Sequence, residues 1–251
     1  MSIFKNLNSD GLEESEDRLG GGTPALDTDV YTMKITMAYA GQSAGGARNV
    51  TVQGKINGAD YSETIYITNK KGENYFLNKE DKTKKVPLPG FTTIDDLCLV
   101  ATGESLENQP TEEKLVKQWD YEEKKELPKA AHVLVELIGK EVGVAIVKST
   151  VDVSKKDDAG NYIPTGKTRD ENTIEKVYDL DSKLTVAEAR KGLETGVFID
   201  AWTERNKGQT RDKTAKNDNQ AGKSGRPGSG AAPQAGAKPE TKRLFGNKNA
   251  A

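Results

Sequence analysis

Between residues 30 and 39 apolar and polar positions alternate. Tyr31, Met33, Ile35, Met37 and Tyr39 share one parity, and Thr32, Lys34, Thr36 and Ala38 share the other. Period two over this length predicts a half-buried β-strand. After a glycine-rich loop at 41–46, Val50, Val52 and Ile56 alternate with Thr51, Gln53 and Lys55, a second strand with a bulge expected at Gly54. Asn57-Gly58 is a strong tight-hairpin signal. It leads into a third strand at 61–68, on which Tyr66, with Thr64 and Thr68, faces opposite to Ile65 and Ile67.

Pro87, Pro89 and Gly90 break this pattern. Thr92 or Thr93 is expected to cap a short helix with Asp95 and Asp96 in its first turn, where acidic groups complement the helix dipole. Ile94, Leu97, Cys98 and Ala101 form its apolar face. An acidic loop at 104–114 precedes a fourth strand at 115–121, where Leu115, Trp119 and Tyr121 share a parity that Lys117 interrupts. A turn at 122–125 and strands at 131–137 and 141–153 follow, with Val142, Val144 and Ile146 on one face. Residues 157–161 read as a hairpin tip that returns toward Val177. Thr185 and Glu188 have capping-box spacing before one helix, and 197–205 forms another with Phe198, Ile199 and Trp202 on one side.

Three meandering strands, a short helix, then more strands is the element order of an OB-fold barrel. The expected fold is mainly β: an OB-like barrel with short helices and a disordered C-terminal tail. The expected division is an N-terminal arm at 1–29, the barrel at 30–205 and a basic tail at 206–251.

Composition supports that division. Only 34% of residues are hydrophobic, and from Asn206 onward large apolar side chains almost vanish. Such a segment buries too little surface to offset its ordering entropy, so the tail is expected to be dispensable for folding. It holds ten basic and three acidic residues, a net of +7, so the first 205 residues carry −9 of the chain's net −2. A basic tail on an acidic body suits a polyanion or an acidic partner; a purely solvating linker is the plainer alternative. The single cysteine, Cys98, forms no internal disulfide, and this fits a reducing cytoplasm. No apolar leader or long apolar run is present, so neither a signal peptide nor a membrane span is expected.

Catalytic chemistry has little to work with. The lone histidine, His132, adjoins Val133 in an apolar strand and reads as a packing residue. One Cys and one His cannot build a standard zinc site. The glycine-rich stretches at 41–46 and 222–228 lack the Lys-Ser/Thr ending of a phosphate loop. No catalytic residue, metal or cofactor is expected, and an enzyme such as a nuclease ranks below a binding protein.

Binding chemistry is better represented. The run 67–76 leaves the third strand through Asn69, Lys70, Lys71 and Gly72, then presents Tyr75 and Phe76. Single-strand binders need cations that track phosphates and aromatics on which bases stack. Phe76 lacks a polar handle and is the expected core member of the pair, which leaves Tyr75 as the stacking candidate. Tyr66 and Trp119 are further platform candidates, and Arg48, Lys55 and Lys148 are candidates for phosphate neutralisation.

Several segments carry a family likeness: FKNLNSDGLEESEDRLGGG at 4–22, ETIYITNKKGENYF at 63–76, KKVPLPGFTTIDDLCLVATGE at 84–104, DDAGNYIPTGKTRDENTIEKVYD at 157–179 and KRLFG at 242–246. Together they resemble the single-stranded DNA-binding proteins of tailed phages, nearest those of Enquatrovirus-like podoviruses. The resemblance implies a protein that coats single strands with little sequence preference during phage DNA replication and recombination, in the host cytoplasm. It also implies a C-terminal contact with a replication or transcription polymerase, for which Lys242, Arg243, Leu244 and Phe245 are the candidates. The alternative is a transcription or recombination accessory factor acting mainly through that tail. One departure stands out: many cellular single-strand binders end in an acidic tip with a terminal aromatic, whereas this chain ends in a basic tip with Phe245 six residues from its end.

Overall fold

The computed structural model describes residues 24–120, 123, 125–156, 162–214 and 245, without the side chains of 156, 162 and 164. Residues 1–23 of the expected arm at 1–29, Tyr121, the hairpin tip at 157–161 and Lys242, Arg243 and Leu244 lie outside the described residues. The fold is mainly β. Strands β1 (Asp29–Gln42), β2 (Arg48–Ile56) and β3 (Ala59–Tyr66) form an antiparallel meander. Asn57 and Gly58 both take positive φ, 52° and 80°, as the two-residue turn between β2 and β3 requires.

Strand β1 departs from the simple alternation its sequence suggests. Ile35 pairs with Gly54 and Met37 with Gln53, so Thr36 is an extra residue. The expected irregularity is present, but the insertion is in β1, opposite Gly54. Beyond it the parity reverses. Met33, Ile35 and Ala38 enter the main core, whereas Met37 and Tyr39 join a second cluster with Val116, Ala131 and Val133. A β-bulge does this because two residues oppose one and every later side chain changes face.

A two-stranded hairpin, β4 (Tyr75–Leu77) and β5 (Lys85–Pro87), leads into helix α1 (Pro89–Thr102). This helix starts earlier than the threonines suggest. Pro89 occupies its first turn, where a missing N–H costs nothing. Thr92 and Thr93 lie inside the helix and donate their hydroxyls to the carbonyls of Leu88 and Pro89. Asp95 and Asp96 are therefore not first-turn residues. Burial pushes the Asp96 carboxyl up to about 6, while Asp95 accepts a hydrogen bond from Leu106 N.

Strands β6 (Thr111–Asp120) and β7 (Lys125–Leu134) form a long ribbon that meets β1 where Val133 pairs with Tyr39. Strand β8 (Glu141–Lys156) pairs with the first half of β1 and with β9 (Tyr162–Tyr178). Val142, Val144 and Ile146 are all fully buried, as their spacing predicts. Gly143 is needed where it stands: a Cβ there would meet the ring of Tyr178, its partner on β9, at 2.3 Å.

Helix α1 packs against β3, β8 and β9. Between β3 and β9 the carboxylate of Glu63 accepts the Ile174 N–H at 2.9 Å and the Tyr61 hydroxyl at 2.7 Å. A side chain thus bridges the two strands. Among the described residues no helix is long and apolar enough to cross a membrane.

Helix α2 (Val186–Arg190) opens with the expected capping box, Thr185 and Glu188 exchanging both hydrogen bonds. The other Glu188 oxygen accepts from Val197 N and Phe198 N, both at 2.8 Å, which ties α2 to the start of α3 (Phe198–Asn206). Trp202 of α3 packs with Ala145 and Val147 of β8.

The fold does not stop at Arg205. Strand β10 (Thr210–Asp212) pairs in parallel with β8. Arg211 grips Glu175 with both nitrogens, at 2.6 and 2.9 Å, and Trp202 Nε1 donates to the same carboxylate at 2.7 Å. The apolar-poor composition hid this strand because its anchor is an arginine. Phe245 is also part of the fold: it is 8% exposed and belongs to the main core cluster.

Ending the chain at Arg205 is therefore expected to lower the thermal midpoint, against the composition-based expectation that the tail is dispensable. Arg211→Ala is expected to cost about 1–2 kcal/mol, the value of a charged hydrogen-bonded pair discounted for partial exposure. Burial pushes the Glu175 carboxyl up, but Arg211 and Trp202 outweigh it and hold the group below its usual range. A depressed folded value gives stability that is present above the unfolded carboxylate value, about 4.3, and is lost as pH falls through the folded one. The gap between Arg211→Ala and the parent in urea unfolding should therefore narrow below about pH 4.

Candidate nucleic-acid interface

Register places a polar and aromatic surface on the side of β1–β2–β3 away from the main core. Across it Gly41, Asn49 and Tyr66 form one row, and Tyr39, Thr51 and Thr64 the next. Thr51 and Thr64 are joined through their hydroxyls at 2.9 Å. Tyr66 is 52% exposed at the end of the first row, on the outward side its parity predicts.

Two loops meet at that end. The β1–β2 loop approaches Lys70 closely: a Cβ on Gly45 would lie 3.4 Å from Lys70 Cε. Asn69 organises the β3–β4 loop by accepting from Lys71 N and Glu73 N, at 2.8 and 3.0 Å, and Gly72 supplies the positive φ that closes it. Lys70, Lys71 and Arg48 are all exposed there. Arg48 is held at its backbone, where its N–H donates to Thr68 Oγ1, and its guanidinium makes no ion pair with a described residue.

The β4–β5 hairpin is fixed to the same end. Leu88 N donates to Asn74 O at 2.8 Å, and helix α1 begins so close to β3 that a Cβ on Gly90 would clash with the Tyr66 carbonyl at 2.2 Å. Tyr75 is half-buried, with Lys85 Nζ 4.2 Å above its ring centroid. Phe76 faces the other way from Tyr75 but not into the core: it is 47% exposed, as is Leu77 at 49%. The expectation that Phe76 packs inside is corrected. A three-residue strand paired only with another three-residue strand has no second layer to cover its outward ring.

Of the eight nucleic-acid candidates, Tyr66, Lys70, Lys71, Tyr75 and Arg48 thus gather at one end of the sheet. Lys55 lies on β2 six residues from Asn49, about 20 Å at strand rise, with its ammonium 2.7 Å from Asp60. Lys148 sits toward the opposite end of β1, near Asp27 and Asp170 at 3.4 and 3.5 Å. Trp119 is exposed but lies across from Glu126, seven residues along β7 from the contact with Tyr39, about 23 Å out on the ribbon. Leu115 shares its face and is also exposed. His132 is exposed too, so it does not pack as its apolar neighbours suggest; its parity is opposite to that of buried Ala131 and Val133.

Sequence reasoning missed Phe76 as a surface aromatic. The available signal was the crowding of Pro87 and Pro89 behind it, which keeps the second strand of that hairpin short. Among the described residues no group of three or more His, Cys, Asp or Glu side chains is placed to hold a metal ion.

No protein-family model matches the chain, and no curated protein matches it either.

Phe76→Ala is expected to change the urea-unfolding free energy by less than about 1 kcal/mol, well short of the roughly 3–5 kcal/mol of a deleted core aromatic. A loss in the core range would show that the ring packs against a further part of the chain.

Proposed function

We propose that this protein binds single-stranded DNA without catalysis, through an OB-like barrel whose outer β1–β2–β3 face and adjoining loops hold the strand. The observation that carries the proposal is the gathering of Tyr66 and Tyr75 with Arg48, Lys70 and Lys71 at one end of that face, with the exposed ring of Phe76 on the other side of the adjoining hairpin. Exposed rings stack unpaired bases, and neighbouring cations neutralise phosphates. The barrel reading draws support from the meander, from the helix that follows its third strand, and from β1's pairing with β2, β7 and β8. The Glu63 bridge, which ties β3 of the meander to β9, supports the same reading. Coating of single strands in phage replication and recombination follows from the family likeness. In the alternative, an accessory factor working through its tail, residues 242–245 would have to be free for a polymerase; the burial of Phe245 weighs against that arrangement.

Tyr66→Ala and Tyr75→Ala are each expected to weaken oligo-dT binding by about 1–3 kcal/mol, the value of one stacking platform. Lys55→Ala should leave it within about twofold, the ordinary reach of a distant surface charge. Replacing both Lys70 and Lys71 by alanine should flatten the salt dependence, each lost phosphate contact removing about 0.7 from the slope. Fluorescence titration at several salt concentrations measures all of these. Equal affinity for duplex and single strand of the same length would defeat the proposal, and magnesium-dependent cleavage would replace it with a nuclease.

A further inference from the structure

Phe245 is the unexpected member of the core. Thirty residues, 215–244, separate it from Thr214, the described residue that precedes it in the chain. From 215 to 243 that stretch contains no Val, Ile, Leu, Met, Phe, Tyr, Trp or Cys. Only Leu244 and Phe245 offer a large apolar side chain, and the ring of Phe245 is 8% exposed within the cluster that includes Met33, Val52, Leu97 and Val144. An aromatic held this way, at the end of so long a polar stretch, has the features of a peptide anchor in a receptor site.

The length of the stretch bears on whose site is filled. Thirty-one residues can span up to about 100 Å, more than twice the roughly 45 Å of the fourteen-residue β1. The segment therefore has enough chain to reach a neighbouring domain as well as its own. It also carries the right charge: residues 206–251 are net +7 and residues 1–205 net −9, so the tail is drawn to the body of any copy.

We propose that the domain contains a binding site for the C-terminal segment, with Phe245 as its anchor, and that copies side by side on one DNA strand exchange this anchor. In dilute solution a tethered tail sees its own site at an effective concentration of the order of millimolar, far above that of free protein. On a shared strand the neighbour's site is tethered too, so the two sites compete on equal terms. Exchange then links consecutive copies by the same apolar contact that each makes with itself when alone. The exchange half rests on the proposed DNA-binding function; the existence of the site does not.

The test uses full-length Phe245→Ala, whose site is vacant, and a fluorescent synthetic peptide of residues 238–251. The peptide is expected to bind the variant saturably. Binding should be at least tenfold weaker to the wild-type chain, whose site is filled, and absent for a peptide carrying Phe245→Ala. On DNA, Phe245→Ala should bind a one-copy oligo-dT as the parent does, yet lose at least tenfold in nearest-neighbour cooperativity on long poly-dT. Phe245→Leu, a milder change, should fall between the two in both assays. Failure of the peptide to bind the vacated chain overturns the site. An unfolded Phe245→Ala chain that the peptide does not restore also overturns it, because Phe245 is then a fixed core residue. Peptide binding with unchanged cooperativity overturns the exchange. If the wild-type chain binds no DNA at all, the proposed function fails while the peptide assay still decides the site.

Discussion

Strand β1 has to serve two cores at once, and the extra residue at Thr36 is what makes this possible. Before it, Met33 and Ile35 point into the main cluster; after it, Ala38 takes that role and Met37 and Tyr39 turn outward. The irregularity is fixed from both sides. Ile35 N donates to Lys140 O and Gly139 N donates to Ile35 O, each at 2.8 Å. On the other side Gly54 leaves room, since a Cβ there would meet Lys34 O and Met33 Cγ at 2.8 Å. Tyr39 then supplies the apolar ring against which Val116, Ala131 and Val133 of the β6–β7 ribbon pack. Without the reversal, Ala38 would face that ribbon and Tyr39 would enter a core already filled by Val50 and Val52. The ribbon's position beside the candidate interface depends on this one backbone insertion.

Much of the fold is legible in the sequence where a local rule is decisive. Asn57-Gly58 can hardly be anything but a hairpin turn, and Thr185 with Glu188 specifies a helix start by reciprocal hydrogen bonds. The parity of Val142, Val144 and Ile146 identifies a core face because every member is apolar. What is not legible turns on competition between signals or on distant partners. Thr92 and Thr93 look like caps, but Pro89 sets the helix start and Leu88 precedes it without any side-chain cap. Strand β10 is held by Arg211, a residue that composition counts as tail. Nothing local to Thr36 distinguishes it from the other polar members of its strand.

The candidate site was legible as a set of residue types and less so as a place. The loop at 69–72 and Tyr75 were identifiable because lysines and an aromatic adjoin a turn. Lys55 and Lys148 are candidates by charge alone, and both are matched by nearby carboxylates at other positions on the sheet. Phe76 was missed since its exposure depends on how few residues β4 and β5 share, a tertiary fact. Phe245 is the extreme case: a lone aromatic in a polar stretch gives no hint of whether it packs, because every other member of its cluster is more than fifty residues away in the chain.

The pairing of Lys85 with Tyr75 bears directly on how the site can work. The ammonium lies 4.2 Å from the ring centroid, so one face of Tyr75 is covered by a cation in the free protein. A cation–π contact at an exposed site contributes about 0.5–1 kcal/mol, whereas a stacked base contributes about 1–3 kcal/mol. A base can therefore displace Lys85 from the ring at modest cost, or stack on the opposite face and leave it in place. Under the proposed function, Lys85 would occupy one face of the ring when no strand is bound and supply a counter-charge when one is. The lysine and the aromatic act as a unit, and their cross-strand register, Leu77 opposite Lys85 and Tyr75 opposite Pro87, puts them on the same face of the hairpin.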